Sequence, residues 1–231
     1  MNSSVYVFGN LGNGYTQYPD DYAKGIYQIF FSEAKAPSQI AIHRDNNLMY
    51  YGYIRKMDKG LQYIGFCVLL NGVMFSQVGS LFPIFENAVT DLVARGEILH
   101  FTNRGDVSSS ISNLNEKKDE IERIASLIKN QIDNLNKEAQ KLPPVSYGTS
   151  NTKIRTFSES DKNVDIVKSS YTNRYTFIYK AQGYNTALMN SYQGILFKIS
   201  KERDDLKTKC SSLSSQLANR PSLVQMMEPV R

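Results

Sequence analysis

The stretch Tyr50–Leu70 reads YYGYIRKMDKGLQYIGFCVLL, and its two halves predict two strands of one sheet. The first half belongs to an aromatic-rich run from Leu48 to Lys56, and aromatic and β-branched side chains pack well on a pleated surface. The residues Asp58-Lys59-Gly60 then predict a turn. The run from Leu61 to Leu70 is the most apolar in the chain, so we expect a central strand there.

Further elements are predicted on both sides of this pair of strands. They follow from alternating or helical spacing of apolar residues, bounded by Gly, Pro, Asn and Asp. They are strands at Val5–Phe8, Tyr15–Tyr18 and Gln39–Arg44, a helix from Pro19 to about Pro37, an amphipathic helix from Ser80 to Gly96, and a short strand at Ile98–Phe101.

The resulting order, β-β-α-β-β-β-α, resembles the longin or SNARE-like version of the profilin-like fold. The resemblance is carried by Tyr50–Leu70 followed by the helix SLFPIFENAVTDLVARG at Ser80–Gly96, and it covers about the first hundred residues. It implies a five-stranded antiparallel sheet sandwiched by helices, which we assign to residues 1–104. It also implies a binding scaffold that contacts protein partners through a sheet edge or a helix face.

The second half contains two runs with apolar residues every seven positions, which predict coiled-coil helices at 105–142 and 186–218. The predicted core positions are Leu114, Ile121, Ile128, Leu135, Leu142, Tyr192, Ile199, Leu206 and Leu213. We expect an antiparallel helical hairpin that could also join chains as a homo-oligomer. The alternative is two amphipathic helices packed on a globular core. The overall class is therefore α+β: a longin-like domain followed by a helical hairpin.

A β-rich insert is predicted at 143–185, at the tip of that hairpin, and a disordered tail at 219–231. Aromatic residues alternate along one strand of the insert with cations nearby. The candidate contact residues are Tyr171, Arg174, Tyr175, Phe177, Tyr179 and Lys180. Such a face could stack bases and hold phosphates, which makes nucleic acid the alternative partner. The simpler interpretation is that the same face packs on a helix or on a partner protein.

The loop Gly9–Gly14, with the sequence GNLGNG, is the one stretch whose glycines could indicate nucleotide binding. A Walker loop needs Lys and Ser or Thr after its last glycine, but Tyr15-Thr16-Gln17 follows here. The glycines are spaced GxxGxG rather than GxGxxG, and no helix opens directly after them. We therefore expect a hairpin turn, with a nucleotide-sensing regulatory subunit as the third functional possibility.

Little else in the sequence points to chemistry. The two histidines, His43 and His100, have no metal-ligand spacing to Cys, Asp or Glu, and Cys67 and Cys210 fall in apolar patterns. We expect no catalytic residue, no cofactor and no metal. Two cysteines, no apolar membrane span and no secretory signal at the N-terminus favour a cytoplasmic setting.

The formal net charge is +5, and the basic excess lies in the second half of the chain. It is mixed in sign, which gives only a weak footprint for nucleic acid. The sequence therefore predicts a non-enzymatic scaffold that binds protein partners through its first domain and assembles or spaces them through its heptad helices.

Overall fold

The structure is a computed structural model, and it describes residues 3–21, 38–57, 61–75, 78–102, 106–142, 144, 153–154, 157–158, 175–178, 181–182 and 186–218. Most of the helix predicted from Pro19, most of the insert at 143–185 and the tail at 219–231 lie outside the described residues.

The described strands and helices follow each other along the chain. The strands are β1 Ser3–Asn10, β2 Tyr15–Tyr18, β3 Ser38–Asp45, β4 Leu48–Lys56, β5 Tyr63–Asn71, β6 Val73–Phe75, β7 Leu99–Phe101, β8 Val107–Ser109, β9 Ala139–Lys141, β10 Lys153–Ile154, β11 Phe157–Ser158, β12 Tyr175–Ile178 and β13 Ala181–Gln182. The α-helices are α1 Leu81–Arg95, α2 Lys118–Asn134 and α3 Thr186–Ala218, with single 3₁₀ turns at Val78–Ser80, Leu114–Lys117 and Leu135–Glu138.

The main sheet of the described residues has the order β10-β12-β3-β4-β5-β1-β2. Its five strands β3-β4-β5-β1-β2 pair antiparallel at every step, which confirms the predicted five-stranded antiparallel sheet. The apolar strand β5 lies in the middle of these five, as its composition predicts. The predicted bounds of these strands agree with the structure to within two residues at each end.

Two short strands of the insert, β10 and β12, belong to this sheet. Strand β12 pairs antiparallel with β3, with Tyr175 opposite His43 and Ile178 opposite Ile40. The predicted position of the aromatic strand at the far tip of a helical hairpin is therefore wrong. It extends the edge of the sheet, where the free backbone groups of β3 supply hydrogen-bonding partners.

Helix α1 packs on one face of the sheet through stacked aromatic rings. The Tyr53 ring on β4 stacks on Phe66 and Phe85 at centroid distances of 6.0 and 5.3 Å. The Tyr53 hydroxyl donates to buried Glu86 Oε1 at 2.6 Å, and Arg55 Nη1 lies 3.4 Å from Glu86 Oε2. A buried carboxylate needs such partners, so the sheet fixes the position of α1 along its surface.

Helix α2 packs against the same domain. Its residues Ile121, Ile124, Ile128 and Ile132 recur at helical spacing, and all four are fully buried in one core cluster with the sheet and α1. The coiled-coil role predicted for the first heptad helix is therefore wrong. The alternative interpretation, an amphipathic helix packed on a globular core, is correct for α2.

The ends of the same segment also belong to the domain. Leu114 and Leu142 are buried in that cluster, Leu135 packs against it, and β9 pairs with β6. The core thus crosses the boundary predicted at residue 104, and the segment 105–142 is not a separate coiled-coil unit. Because the apolar face of α2 is already filled, α3 cannot pair with α2 through it.

An ionic cluster ties α2 to α1 at the rim of this interface. Arg123 donates to both carboxylate oxygens of Glu120, at 2.9 and 2.7 Å, and also to Asp91 on α1. Arg95 Nε of α1 lies 3.4 Å from Glu120 Oε1. The hydrogen bonds from Arg123 hold the pKa of Glu120 below its ordinary value, although desolvation opposes them. The charged form of Glu120 is therefore the stabilising form.

Replacing Glu120 by Gln should lower the free energy of unfolding at pH 7. The loss should begin to fade as the pH falls below about 4.3, where the unfolded glutamate takes up a proton, and should vanish below the lower pKa of the native Glu120. Urea unfolding of both proteins between pH 7 and pH 3 measures this difference. The control Asp205→Asn, at an exposed carboxylate of α3 outside this cluster, should change the free energy of unfolding at pH 7 by less than about 0.5 kcal/mol. A constant Glu120→Gln difference across this range would contradict the assignment.

Replacing Ile128 by Ala should lower the free energy of unfolding by about 2–5 kcal/mol, since it leaves a cavity in the domain core. The matched change Leu213→Ala, at a heptad position of α3, should stay within about 0.5 kcal/mol, because Leu213 is exposed. Urea unfolding at low micromolar concentration compares the two. Equal losses would show that the two helices are packed alike, against the structure.

Candidate functional site

The glycine-rich loop connects β1 to β2 and is held from within the chain. The Gly12 N–H donates to Asn10 Oδ1 at 3.2 Å, and the Asn13 N–H donates to the Ser112 carbonyl at 3.4 Å. A phosphate cradle needs backbone N–H groups that point at the ligand, and these two point at protein oxygens. The predicted hairpin is confirmed by the β1–β2 register, in which Asn10 lies opposite Tyr15.

The first glycine of the loop has a packing role. A Cβ at Gly9 would lie 2.4 Å from the Tyr63 carbonyl oxygen of β5, so no larger residue fits there without a backbone shift. This requirement comes from the close approach of two strands. The glycine at position 9 is thus explained without a ligand.

The two histidines and the two cysteines each lie in a different environment. His43 is buried on β3 with its ring 5.4 Å from that of Tyr50, and His100 Nδ1 lies 2.9 Å from Ser110 Oγ on the β7–β8 hairpin. Cys67 is buried and Cys210 is exposed. Across the described ranges, no group of three or more His, Cys, Asp or Glu could hold a metal ion. The expectation of no catalytic residue stays a prediction.

A cluster that the sequence did not single out covers the second face of the sheet. Tyr6, Phe8, Tyr50 and Tyr63 are buried there with Cys67, and Tyr15 packs against them. Burial raises the pKa of Tyr63 to about 12 and also raises that of Tyr15, beside Tyr63 and Cys67. Both phenols therefore stay protonated at neutral pH, which fits a core and gives no base. Strict alternation along β1 and β4 was the signal that could have revealed this face.

The candidate contact strand is only partly described. Tyr175 and Phe177 lie in β12, beside β3. The other members, Tyr171, Arg174, Tyr179 and Lys180, lie outside the described residues. Nothing in the described part of the chain tests contact of this strand with a base or a phosphate, so nucleic-acid binding stays a prediction.

The feature with the clearest surface consequence is α3, whose bounds, 186–218, agree with the sequence prediction. Ile199, Leu206 and Leu213 are 53, 60 and 58% exposed, and Leu217 is 66% exposed. Cys210 lies between them and is exposed. We call Ile199, Leu206, Cys210, Leu213 and Leu217 the C-terminal seam. The fourth predicted core position on α3, Tyr192, lies one heptad before Ile199.

The seam forms a continuous apolar stripe. Residues four and three apart lie one above the other on a helix, so Leu206, Cys210, Leu213 and Leu217 share one face. Every residue from 204 to 218 is exposed. In the usual heptad notation Ile199, Leu206 and Leu213 take position d, and Arg203, Cys210 and Leu217 take position a. Five large or medium apolar residues therefore lie on one exposed face of α3.

Arg203 is the residue of this face that the sequence analysis missed. Its Nη1 donates to the Ala94 carbonyl at the end of α1 at 2.6 Å, and its Nε donates to Asp204 Oδ1 at 3.0 Å. A guanidinium suits the C-terminus of a helix, where carbonyl groups lack partners and the dipole is negative. A cation at position a of an apolar stripe was the available signal.

The end of α1 is shaped for this contact. Gly96 has φ +71° and ends α1 in the left-handed conformation, with its N–H donating to the Leu92 carbonyl. A Cβ at Gly96 would lie 2.7 Å from the Arg203 guanidinium. The glycine therefore ends the helix and also leaves room for the arginine that anchors α3 to the domain.

None of the described helices carries a stretch long and apolar enough to span a bilayer. Comparison of the chain with known protein families, with curated proteins and with solved structures finds no match.

Proposed function

We propose that this chain is a non-enzymatic scaffold that binds protein partners through its α/β domain and assembles or spaces them through α3. The observation that carries the proposal is the C-terminal seam, whose leucines are more than half exposed on a helix of 33 residues. At 1.5 Å per residue this helix is about 50 Å long.

The stability of a helix such as α3 depends on burial of its apolar face. An isolated helix is marginal in water, and most helices in proteins are held by packing of an apolar face. The part of α3 beyond Arg203 is exposed on all sides. Burial of each seam leucine would contribute up to about 1.5–3 kcal/mol, so a partner helix supplies what the chain itself leaves out.

The role of the α/β domain rests on its resemblance to longin domains. Support comes from the strand order β3-β4-β5-β1-β2, with α1 and α2 packed against the sheet. Partner binding through a sheet edge or a helix face is what this resemblance implies. This part of the proposal rests on fold analogy.

We place the protein in the cytoplasm. Cys67 and Cys210 are both free, one buried and one exposed on α3. An exposed thiol on an apolar helix face survives unmodified in a reducing compartment more readily than in an oxidising one.

The assembly role predicts a mass above 26.2 kDa for residues 1–231, rising with protein concentration. Multi-angle light scattering after size exclusion, from low to high micromolar, measures it. The double variant Leu206→Glu/Leu213→Glu should stay at the monomer mass, because two charges then lie in the apolar seam.

The matched control is Thr208→Glu/Ser215→Glu. It adds the same charges with the same spacing of seven on the outer face of α3 and should associate like the original chain. A monomer at every concentration, or equal loss in the control, would refute assembly through the seam.

A further inference from the structure

We propose that the helix received by the C-terminal seam is α3 of a second copy of this chain, lying parallel and in register. This inference rests on the proposed assembly function and adds the identity and the orientation of the partner. The charges beside the seam and the contact of Arg203 with α1 support it.

The charges beside the seam complement themselves in a parallel pair. With Leu206 at position d, Glu202 takes position g and Lys207 takes position e. In a parallel, in-register pair, a residue at g faces the residue at e five positions later on the other helix. Glu202 of each copy therefore faces Lys207 of the other, and both side chains are exposed and available. Two identical ion pairs result from the two-fold symmetry.

An antiparallel pair over residues 204–218 of α3 would form no comparable ion pairs. Residues 210–218 carry no charged side chain. With Leu206 opposite Leu217, the cations Lys207 and Lys209 would face this uncharged end. Charge pairs at the rim of a coiled coil set orientation more than affinity, so they favour the parallel arrangement.

Arg203 would be the unfavourable residue of a parallel pair, because position a places it opposite its own copy. Its guanidinium is instead held by the Ala94 carbonyl and by Asp204. The same contact places the domain at the start of the seam and leaves residues 204–218 open. A parallel partner can thus lie along this open part, with both domains at the same end.

The heptad register also brings Cys210 opposite its own copy. Helix axes pack about 8–10 Å apart, and Cα atoms lie about 2.3 Å from the axis. Facing Cα atoms are then about 3.5–5.5 Å apart, which overlaps the range that a disulfide bridges. Cys67 is buried and does not compete.

Cross-linking tests the orientation. Treatment with copper phenanthroline and oxygen takes two electrons and two protons from a pair of thiols and joins their sulfurs. The original chain should give a covalent dimer on non-reducing gels, and Cys210→Ser should not. Leu217→Cys in the Cys210→Ser background should restore the covalent dimer. An antiparallel pair with Leu206 opposite Leu217 would hold these two cysteines about 16 Å apart, 11 residues at 1.5 Å each. The control Ser215→Cys, on the outer face in the same background, should not cross-link.

A charge exchange tests the ion pairs. Glu202→Lys alone and Lys207→Glu alone should each raise the dimer dissociation constant about fivefold or more, because attraction becomes repulsion at two symmetric places. The double exchange should return it to within about twofold. Circular dichroism of each variant checks that α3 keeps its helicity.

The outcomes separate the two proposals. A chain that associates by light scattering but shows neither the Leu217→Cys cross-link nor rescue by the double exchange would overturn the parallel pair and leave assembly standing. A chain that never associates would overturn both.

Discussion

The burial of one stripe of isoleucines determines how the rest of the chain is used. Ile121, Ile124, Ile128 and Ile132 of α2 are fully buried against the sheet and α1. Loss of any one of them would leave a cavity in a close-packed core. Because this face of α2 is buried, the first heptad helix belongs to the domain core. The second heptad helix, α3, keeps its leucines exposed. The Glu120–Arg123–Asp91 cluster also holds α2 against α1 at the rim of their interface.

The two heptad helices differ in environment far more than in sequence pattern. Both have apolar residues every seven positions, yet the stripe of α2 is buried and that of α3 is more than half exposed. Helix α3 contacts the domain through Arg203, which donates to the Ala94 carbonyl at the C-terminal end of α1. A packed domain core with an exposed apolar helix face beside it is the feature on which the proposed assembly role depends. The free thiol at Cys210 lies within the C-terminal seam.

Sequence periodicity and turn residues sufficed for the five central strands, for α1 and for α3. They could not tell a coiled coil from a helix packed on a domain, because both kinds of helix carry an apolar stripe with nearly the same spacing. They also missed the pairing of β12 with β3, since a contact between residues 132 to 138 positions apart leaves no local signal. At the seam, the apolar positions were predictable, whereas the role of Arg203 depended on where α1 ends.

The most direct test of this account is amide hydrogen exchange of the full chain, followed by mass spectrometry at low and at high micromolar concentration. Amides in the core of α2 should exchange slowly at both concentrations, because they open only with the domain. Amides of residues 204–218 should exchange fast in the dilute sample and become protected in the concentrated one. Protection of 204–218 that does not change with concentration, or protection of α2 that does, would contradict the separation of a domain helix from an assembly helix.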